Sequence, residues 1–308
     1  MERKYKIAVF YYTQTGQLFE ILSSLLSPLE MMGCQLVYKK IVPVEPFDFP
    51  WTSEKFYDIF PESRAEVPFP LLPMDFSDIL DADLVVLGYQ PWFLAPSIPV
   101  ASFLRLEETK TYLRGRDVIA VGGTRNMWVS AIKSIRESLN NSGARLSGHI
   151  ALEDRHNNLV SVLTIFRWLI GNKKEATRFL PAAGVSDADI ASLSNISEDI
   201  CLALKTKDFQ EMQRSIVNKG GLKFNPNIYF IENNGNKIWG AWARWVLKKG
   251  SYGDPARAAR LKIFKWYLLT LIFAISPFGS LFFKLTWPLR RGSYETIKSN
   301  ILFLKPNQ

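Results

Sequence analysis

Residues 6–18 read KIAVFYYTQTGQL. An apolar run stops at Thr13-Gln14-Thr15-Gly16-Gln17. Behind it Leu18, Ile21, Leu22, Leu25, Leu26 and Leu29 follow the three-and-four spacing of a buried helical stripe. A strand that feeds a short hydroxyl- and glycine-bearing turn at a helix N-terminus gathers unpaired backbone N–H groups, two hydroxyls and the positive end of the helix dipole. That combination is a phosphate cradle. The strand is expected over 6–12 and the helix from Gln17, with Pro28 kinking or ending it early.

The same rhythm continues outward. Residues 35–42 read as a second strand, and DADLVVLG at 81–88 as a third, apolar throughout like a strand covered on both faces. Residues 117–121 and 144–152 read as the fourth and fifth. Helices are expected at 76–82, at 100–113, and from the 122–128 loop to about Asn141, where Ser142-Gly143 ends the last one. Strands and helices alternating at this pace predict an α/β doubly wound sheet of five parallel strands, with helices on both faces and right-handed crossovers. Ligands of such a sheet lie beyond the carboxyl ends of its strands. Residues 43–73 interrupt the pattern with seven of the chain's 17 prolines, interleaved with aromatic residues such as Phe47, Trp51, Phe56 and Phe60. We read this stretch as an ordered, extended insertion that packs on the core or roofs a pocket.

The 308 residues suffice for one domain of about 150–200 residues and a substantial addition. The division is expected at 1–155 and 156–308, the second part mostly helical. With 47% hydrophobic and 22% charged residues the chain is globular rather than disordered. Two isolated cysteines, Cys34 and Cys201, argue against a disulfide framework or a thiolate zinc site, and fit a reducing cytoplasm. MERKYK runs straight into the first strand, so no secretory signal is expected. Charge is uneven. Residues 1–150 hold 15 Lys and Arg against 17 Asp and Glu, net −2, whereas 151–308 hold 23 against 12, net +11.

Three loops end strands one, three and four. Thr13-Gln14-Thr15-Gly16-Gln17 offers phosphate donors. Tyr89-Gln90-Pro91-Trp92-Phe93-Leu94 offers flat aromatic faces for a planar heterocycle. Gly122-Gly123-Thr124-Arg125-Asn126-Met127-Trp128 offers small residues that let a ring approach backbone N–H groups, closed by Trp128. Read singly, each is bland: such a threonine–glycine turn opens many helices, Trp92 and Phe93 pack like other aromatics, and Gly122-Gly123 is a tight turn. Side by side on one sheet rim, they make a phosphate site beside an aromatic sandwich, which suits flavin mononucleotide (FMN).

On these residues the chain resembles flavodoxin-like proteins. YYTQTGQL is similar to their FMN-phosphate loop, GYQPWFLAPSIP to their second flavin loop and VGGTRNMW to their third, in the same order over roughly residues 5–150. One departure is Leu18, which stands where the phosphate loop has its last threonine and removes one hydroxyl donor. By overall layout the chain also resembles the dialkylresorcinol-condensing enzyme family, the aromatase partners of a ketosynthase in aryl polyene and flexirubin-type lipid pathways. That resemblance implies oxidation of a dialkyl cyclohexane-1,3-dione to a 2,5-dialkylresorcinol, a hydrophobic substrate with alkyl chains, and a ketosynthase partner. Aromatising such a ring removes two hydrogens, one as hydride to a flavin and one as a proton to a base. The candidates for proton transfer are His156, in the loop EDRHNN, and Tyr89, with Arg125 to hold an enolate oxygen. His156 also reads as a plain solvated loop residue. With two histidines and two scattered cysteines no metal site is expected. Two other functions fit the same flavin loops: a flavodoxin-type electron carrier with an anchor, and an NAD(P)H:quinone or flavin oxidoreductase.

The C-terminal part has its own pattern. Trp239, Trp242 and Trp245 recur every three residues among Lys and Arg, and residues 266–283, WYLLTLIFAISPFGSLFF, carry no charge. Eighteen residues is short of the roughly 20 of a spanning helix, and Pro277 and Gly279 interrupt them. We therefore expect a shallow hairpin or in-plane insertion within 237–291, peripheral on an anionic membrane at its cytoplasmic face. A buried helical hairpin or a homodimer interface is the alternative. Nucleic acid is not expected, because the cations flank an apolar run rather than base-reading groups.

Overall fold

The computed structural model describes residues 4–305; the first three residues of the MERKYK opening lie outside the described residues. Five parallel strands form the central sheet: β1 (Lys6–Tyr11), β2 (Gln35–Lys40), β3 (Leu84–Tyr89), β4 (Asp117–Thr124) and β5 (Arg145–Glu153), in the order β2-β1-β3-β4-β5. This is the flavodoxin-like order, with its topological switch between β1 and β3. All six residues of β3 are buried, as a central strand covered on both faces requires.

One face is covered by α1 (Gln17–Met31), α9 (Ser194–Thr206) and α10 (Phe209–Asn218). Every apolar residue of the expected α1 stripe is buried. Pro28 does not end α1, which runs three residues further; near the C-terminus a proline costs little of the hydrogen-bond ladder, and its own carbonyl still accepts from Met32 N–H at 3.1 Å. The other face carries α4 (Ile98–Phe103), α5 (Glu107–Leu113) and α6 (Val129–Asn141). The single helix expected over 100–113 is thus two, divided at the extended Leu106, with Glu107 and Glu108 in the first turn of α5 where the helix dipole favours them. The helix expected over 76–82 is one 3₁₀ turn, Ser77–Ile79.

The insertion is ordered but not extended throughout. It holds two short helices, α2 (Ser53–Asp58) and α3 (Phe60–Ala65), and Trp51, Ile59 and Phe60 are buried. The second half of the chain shares the sheet's core: residues from Val185 to Leu302 belong to one hydrophobic cluster with β1, β3 and β4. Cys34 and Cys201 meet there as buried thiols, burial pushing that of Cys34 up, with Cys201 beside it acting in the same direction. After β5 come α7 (Asn158–Gly171), α8 (Asp187–Ala191) and, beyond α10, α11 (Pro226–Leu247).

The expected hairpin at 266–283 is absent. Pro255–Leu302 is one continuous helical rod, formed by a 3₁₀ turn, α12 (Ala258–Thr270), a π-helical stretch (Leu271–Ile275) and α13 (Ser276–Leu302). Pro277 falls in the first turn of α13, and the π turn before it absorbs the missing donor. The rod runs antiparallel to α11, with Trp242 against Tyr267 at 4.8 Å and Phe230 against Phe283 at 5.3 Å between ring centroids.

Candidate functional site

The rim above β1, β3 and β4 holds a cleft of about 120 Å³. Its floor begins at the phosphate loop. Gly16 has φ +90°, open space where a Cβ would stand, and acts as N-cap of α1 without any side-chain cap. The opening N–H groups of α1 are therefore left for an anion. Thr13 Oγ1 accepts from Gly16 N–H at 3.0 Å and shapes the loop, while Thr15 lines the cleft. Gln14 lines it too, but its amide is engaged with the insertion: Nε2 donates to Asp48 O at 2.6 Å, and Oε1 accepts from the Tyr12 hydroxyl. Gln17 is held at both ends by the Val185 backbone, donating to its carbonyl at 2.9 Å and accepting from its N–H at 3.0 Å. A residue of the extension thus closes one side of the cradle. Leu18 packs its methyls under Gly88 and Gly123 and works as core rather than as a donor.

The second loop is a tight hairpin, Pro91–Trp92 paired with Ala95–Pro96. Its turn residues Phe93 and Leu94 have φ +47° and +68°, a left-handed pair that neither side chain favours. Packing holds them: Leu94 is buried, and Phe93 lies 5.2 Å from the Phe56 ring and 5.3 Å from that of Phe60. Trp92 is met edge-on by Tyr12, Phe47 and Trp51 at 5.9, 5.2 and 5.8 Å. Beside it Gln90 faces the cleft with a buried Nε2 that has no hydrogen-bond partner.

The third loop differs from expectation. Gly122 and Gly123 belong to β4, and a Cβ on Gly122 would stand 2.8 Å from the Tyr89 ring, one on Gly123 2.9 Å from Ile21 Cδ1. Both glycines admit core side chains rather than leaving room for a ligand ring, although Gly123 also borders the cleft. Trp128 does not close the site. It is buried, its indole N–H donating to Glu153 Oε1 and its ring 5.0 Å from that of His149. Thr124 lines the cleft with its hydroxyl on Leu152 O at 3.0 Å, and Asn126 is tied to Asn158 at 2.9 Å.

Of the three residues read as catalytic, Arg125 alone borders the cavity space. Its Nη1 donates to Asn158 Oδ1 at 2.7 Å, and burial pulls its pKa down to about 10, which leaves it charged at neutral pH. Tyr89 is fully buried below the rim with its hydroxyl 2.8 Å from His149 Nε2, so it touches no ligand. Burial drives Tyr89 well above the ordinary phenol range and His149 down to about 3, a neutral pair at physiological pH. His156 stands outside the cleft with its side chain 41% exposed, Nδ1 2.6 Å from Asp154 Oδ1. Asp154 is the group that lines the cleft, and its other oxygen accepts from Ser161 at 2.7 Å.

A second cavity, about 190 Å³ and mostly apolar, adjoins the first. The two share Gln14, Pro91, Trp92, Arg125, Ile165 and Leu169. Its other walls come from the insertion (Trp51, Phe56, Ile59), from Phe93 and Leu94, from α7, from Trp239 on α11 and from Leu268 and Ile272 on the rod. Sequence reasoning missed Asp154, Trp168, Gly184 and nearly all of this apolar lining. The available signal was the aromatic density of 43–73 and the apolar run 159–170.

These features fit FMN: an uncapped helix N-terminus for the phosphate, an indole on the cleft wall for a planar ring, and an orphaned amide donor at Gln90 for a ring oxygen. Among solved structures the chain is similar to a flavodoxin from the domain Archaea (13% identity, 65% of this chain and 99% of that one, TM-score 0.38). It is similar to a flavoprotein in complex with FMN from Lactobacillus acidophilus NCFM (20%, 49% and 93%, 0.37) and to two-electron reduced Megasphaera elsdenii flavodoxin (13%, 49% and 89%, 0.32). At such TM-scores the fold assignment rests on the strand order itself. No protein-family model matches the chain, and no curated protein matches it.

Proposed function

We propose that the chain is an FMN-dependent oxidoreductase that works on an apolar substrate, and that the reaction is the oxidation of a dialkyl cyclohexane-1,3-dione to a 2,5-dialkylresorcinol. The observation that carries this reading is the apolar cavity sharing a wall with the phosphate-loop cleft. A bare electron carrier has no use for an apolar chamber beside its cofactor. Bound FMN would supply a two-electron acceptor there.

The chain's own residues supply the rest. The opening N–H groups of α1 and Thr15 hold the phosphate, and Trp92 and Gln90 orient the ring. Arg125, charged and on the shared wall, holds the enolate oxygen of a dione whose alkyl arms lie among Phe56, Phe93 and Phe166. The ring proton passes to Asp154 on the cleft wall and onward through its 2.6 Å contact to His156, whose exposed ring reaches solvent. Ile165, Phe166 and Leu169 of α7 form an apolar wall of the chamber that Arg125 borders.

Purified protein is first examined for flavin absorption and then mixed without oxygen with a dialkyl cyclohexanedione. Bleaching of the flavin with appearance of the resorcinol is expected. Protein that takes up no FMN overturns the whole reading. Flavin that binds, ignores the dione, and is reduced by a nicotinamide nucleotide favours a quinone or flavin reductase instead.

A further inference from the structure

The rod Pro255–Leu302 is held at both ends. At its start Arg257 is fully buried and paired with Asp58 at 2.7 Å and Glu62 at 2.5 Å. At its end Ile297, Ile301 and Leu302 pack into the main core, and Gln213 donates to Leu302 O at 2.8 Å. Along its inner side Phe283 is buried against α11, and Asn227 donates to Ser280 at 3.2 Å. Among the described residues little covers the outer side of the middle stretch; Phe282, at its edge, reaches the Phe230 ring of α11 at 6.4 Å. Ile275, Phe278, Leu281, Phe282, Leu285 and Leu289 are exposed, Phe278 at 72%, Leu285 at 73% and Leu289 at 91%. Their three- and four-residue spacing puts them in one stripe. On the same wheel Lys284 lies about 60° beyond the Leu281 edge of the stripe and Arg290 about 60° beyond the Ile275 edge, Arg290 sitting over the Phe230 and Phe282 rings at 5.5 and 5.6 Å. Across residues 233–294 there are eleven Lys and Arg and one acidic residue, Asp254.

We propose that this stripe docks flat on an anionic lipid bilayer, its apolar side chains entering the headgroup boundary and its bordering cations reaching lipid phosphates. The tethers exclude a transmembrane span, because a crossing helix leaves its ends on opposite sides, whereas both ends of this one are fixed to the same body. Charge selects lipid over a second copy of the chain: a twofold contact through the stripe would set the cationic borders of the two copies against each other. The inner edge of the same rod, Leu268 and Ile272, walls the apolar cavity. Docking therefore brings that cavity within about one helix diameter, ~10 Å, of the lipid surface. The proposal does not depend on which reaction the cleft performs.

The test is flotation of the full-length protein with vesicles of phosphatidylcholine containing phosphatidylglycerol, and with vesicles of phosphatidylcholine alone. Binding is expected to the anionic vesicles, weaker binding to the neutral ones, and weakening by salt. Leu285→Glu with Leu289→Glu, both at exposed positions, is expected to reduce binding roughly tenfold or more while circular dichroism and melting stay unchanged. The proposal is overturned if the wild type does not float with anionic vesicles, or if the double variant floats equally well. It is also overturned if sedimentation shows a homodimer that the same substitutions dissociate, which would give the face to a second copy.

Discussion

Gln90 separates a ligand group from a structural one. Its Nε2 is buried without a partner, and an orphaned amide lowers stability in the empty protein. Gln90→Met is therefore expected to leave the melting temperature of the apo protein equal or higher while weakening FMN binding by about tenfold, the worth of one neutral hydrogen bond. Flavin fluorescence titration checks the second part. Unchanged affinity would show that this amide does not meet the cofactor. Glu153 gives a pH-dependent prediction. Burial raises its pKa from 4.5 to about 7, against the lowering effect of the Trp128 indole, and nearby Glu232 pushes the same way as burial. With the folded value above the unfolded one, the native state binds more protons between pH 4.5 and 7. Stability must then fall as pH rises through that window, by on the order of 3 kcal/mol, and stay lower above it. Urea denaturation at pH 5 and pH 7.5 is expected to show this drop in the wild type and much less of it in Glu153→Gln.

At the scale of elements, the insertion and the rod stand or fall together through Arg257. Its buried guanidinium donates to the carbonyls of Asp58 and of Gly250, the latter at 3.2 Å, as well as to the two carboxylates. Arg257→Met strands Asp58 and Glu62 beneath the rod, and a loss of roughly 3–5 kcal/mol is expected. Adding Asp58→Asn and Glu62→Gln is expected to recover most of it, since no uncompensated charge then remains. A loss below about 1 kcal/mol for the single variant would mean that aromatic packing, such as the 3.7 Å stack of Phe60 on Phe264, holds the two elements unaided.

For the whole molecule, one core runs from β1 to Leu302, so the sheet and the extension are expected to unfold in one cooperative transition. Equal calorimetric and van't Hoff enthalpies would bear this out, and two resolved transitions would overturn it. The sheet was legible because its signals are local. Continuous apolar runs mark β1 and β3, the stripe from Leu18 to Leu29 marks α1, and Gly16 marks the turn between. The Thr13–Gln17 turn was legible for the same reason, being made by five consecutive residues, though Val185, which holds Gln17, was not. The rest of the site was not. Gly122, Gly123 and Trp128 suggest a ligand loop in the sequence, yet Tyr89, Ile21 and Glu153, each distant in the chain, claim them for the core. Pro277 and Gly279 suggest a break, yet a π turn and the flank of α11 carry the helix through. By itself, then, the sequence determined the parallel sheet, the glycine turn at its first crossover and the cationic, apolar character of the C-terminal segment. The tertiary structure alone decided that this segment is a rod tethered at both ends, and that it joins α7 and the insertion in lining an apolar cavity beside the cleft. Strand, helix and turn follow from neighbours in sequence, whereas a cavity wall follows from which distant surfaces exclude water from each other.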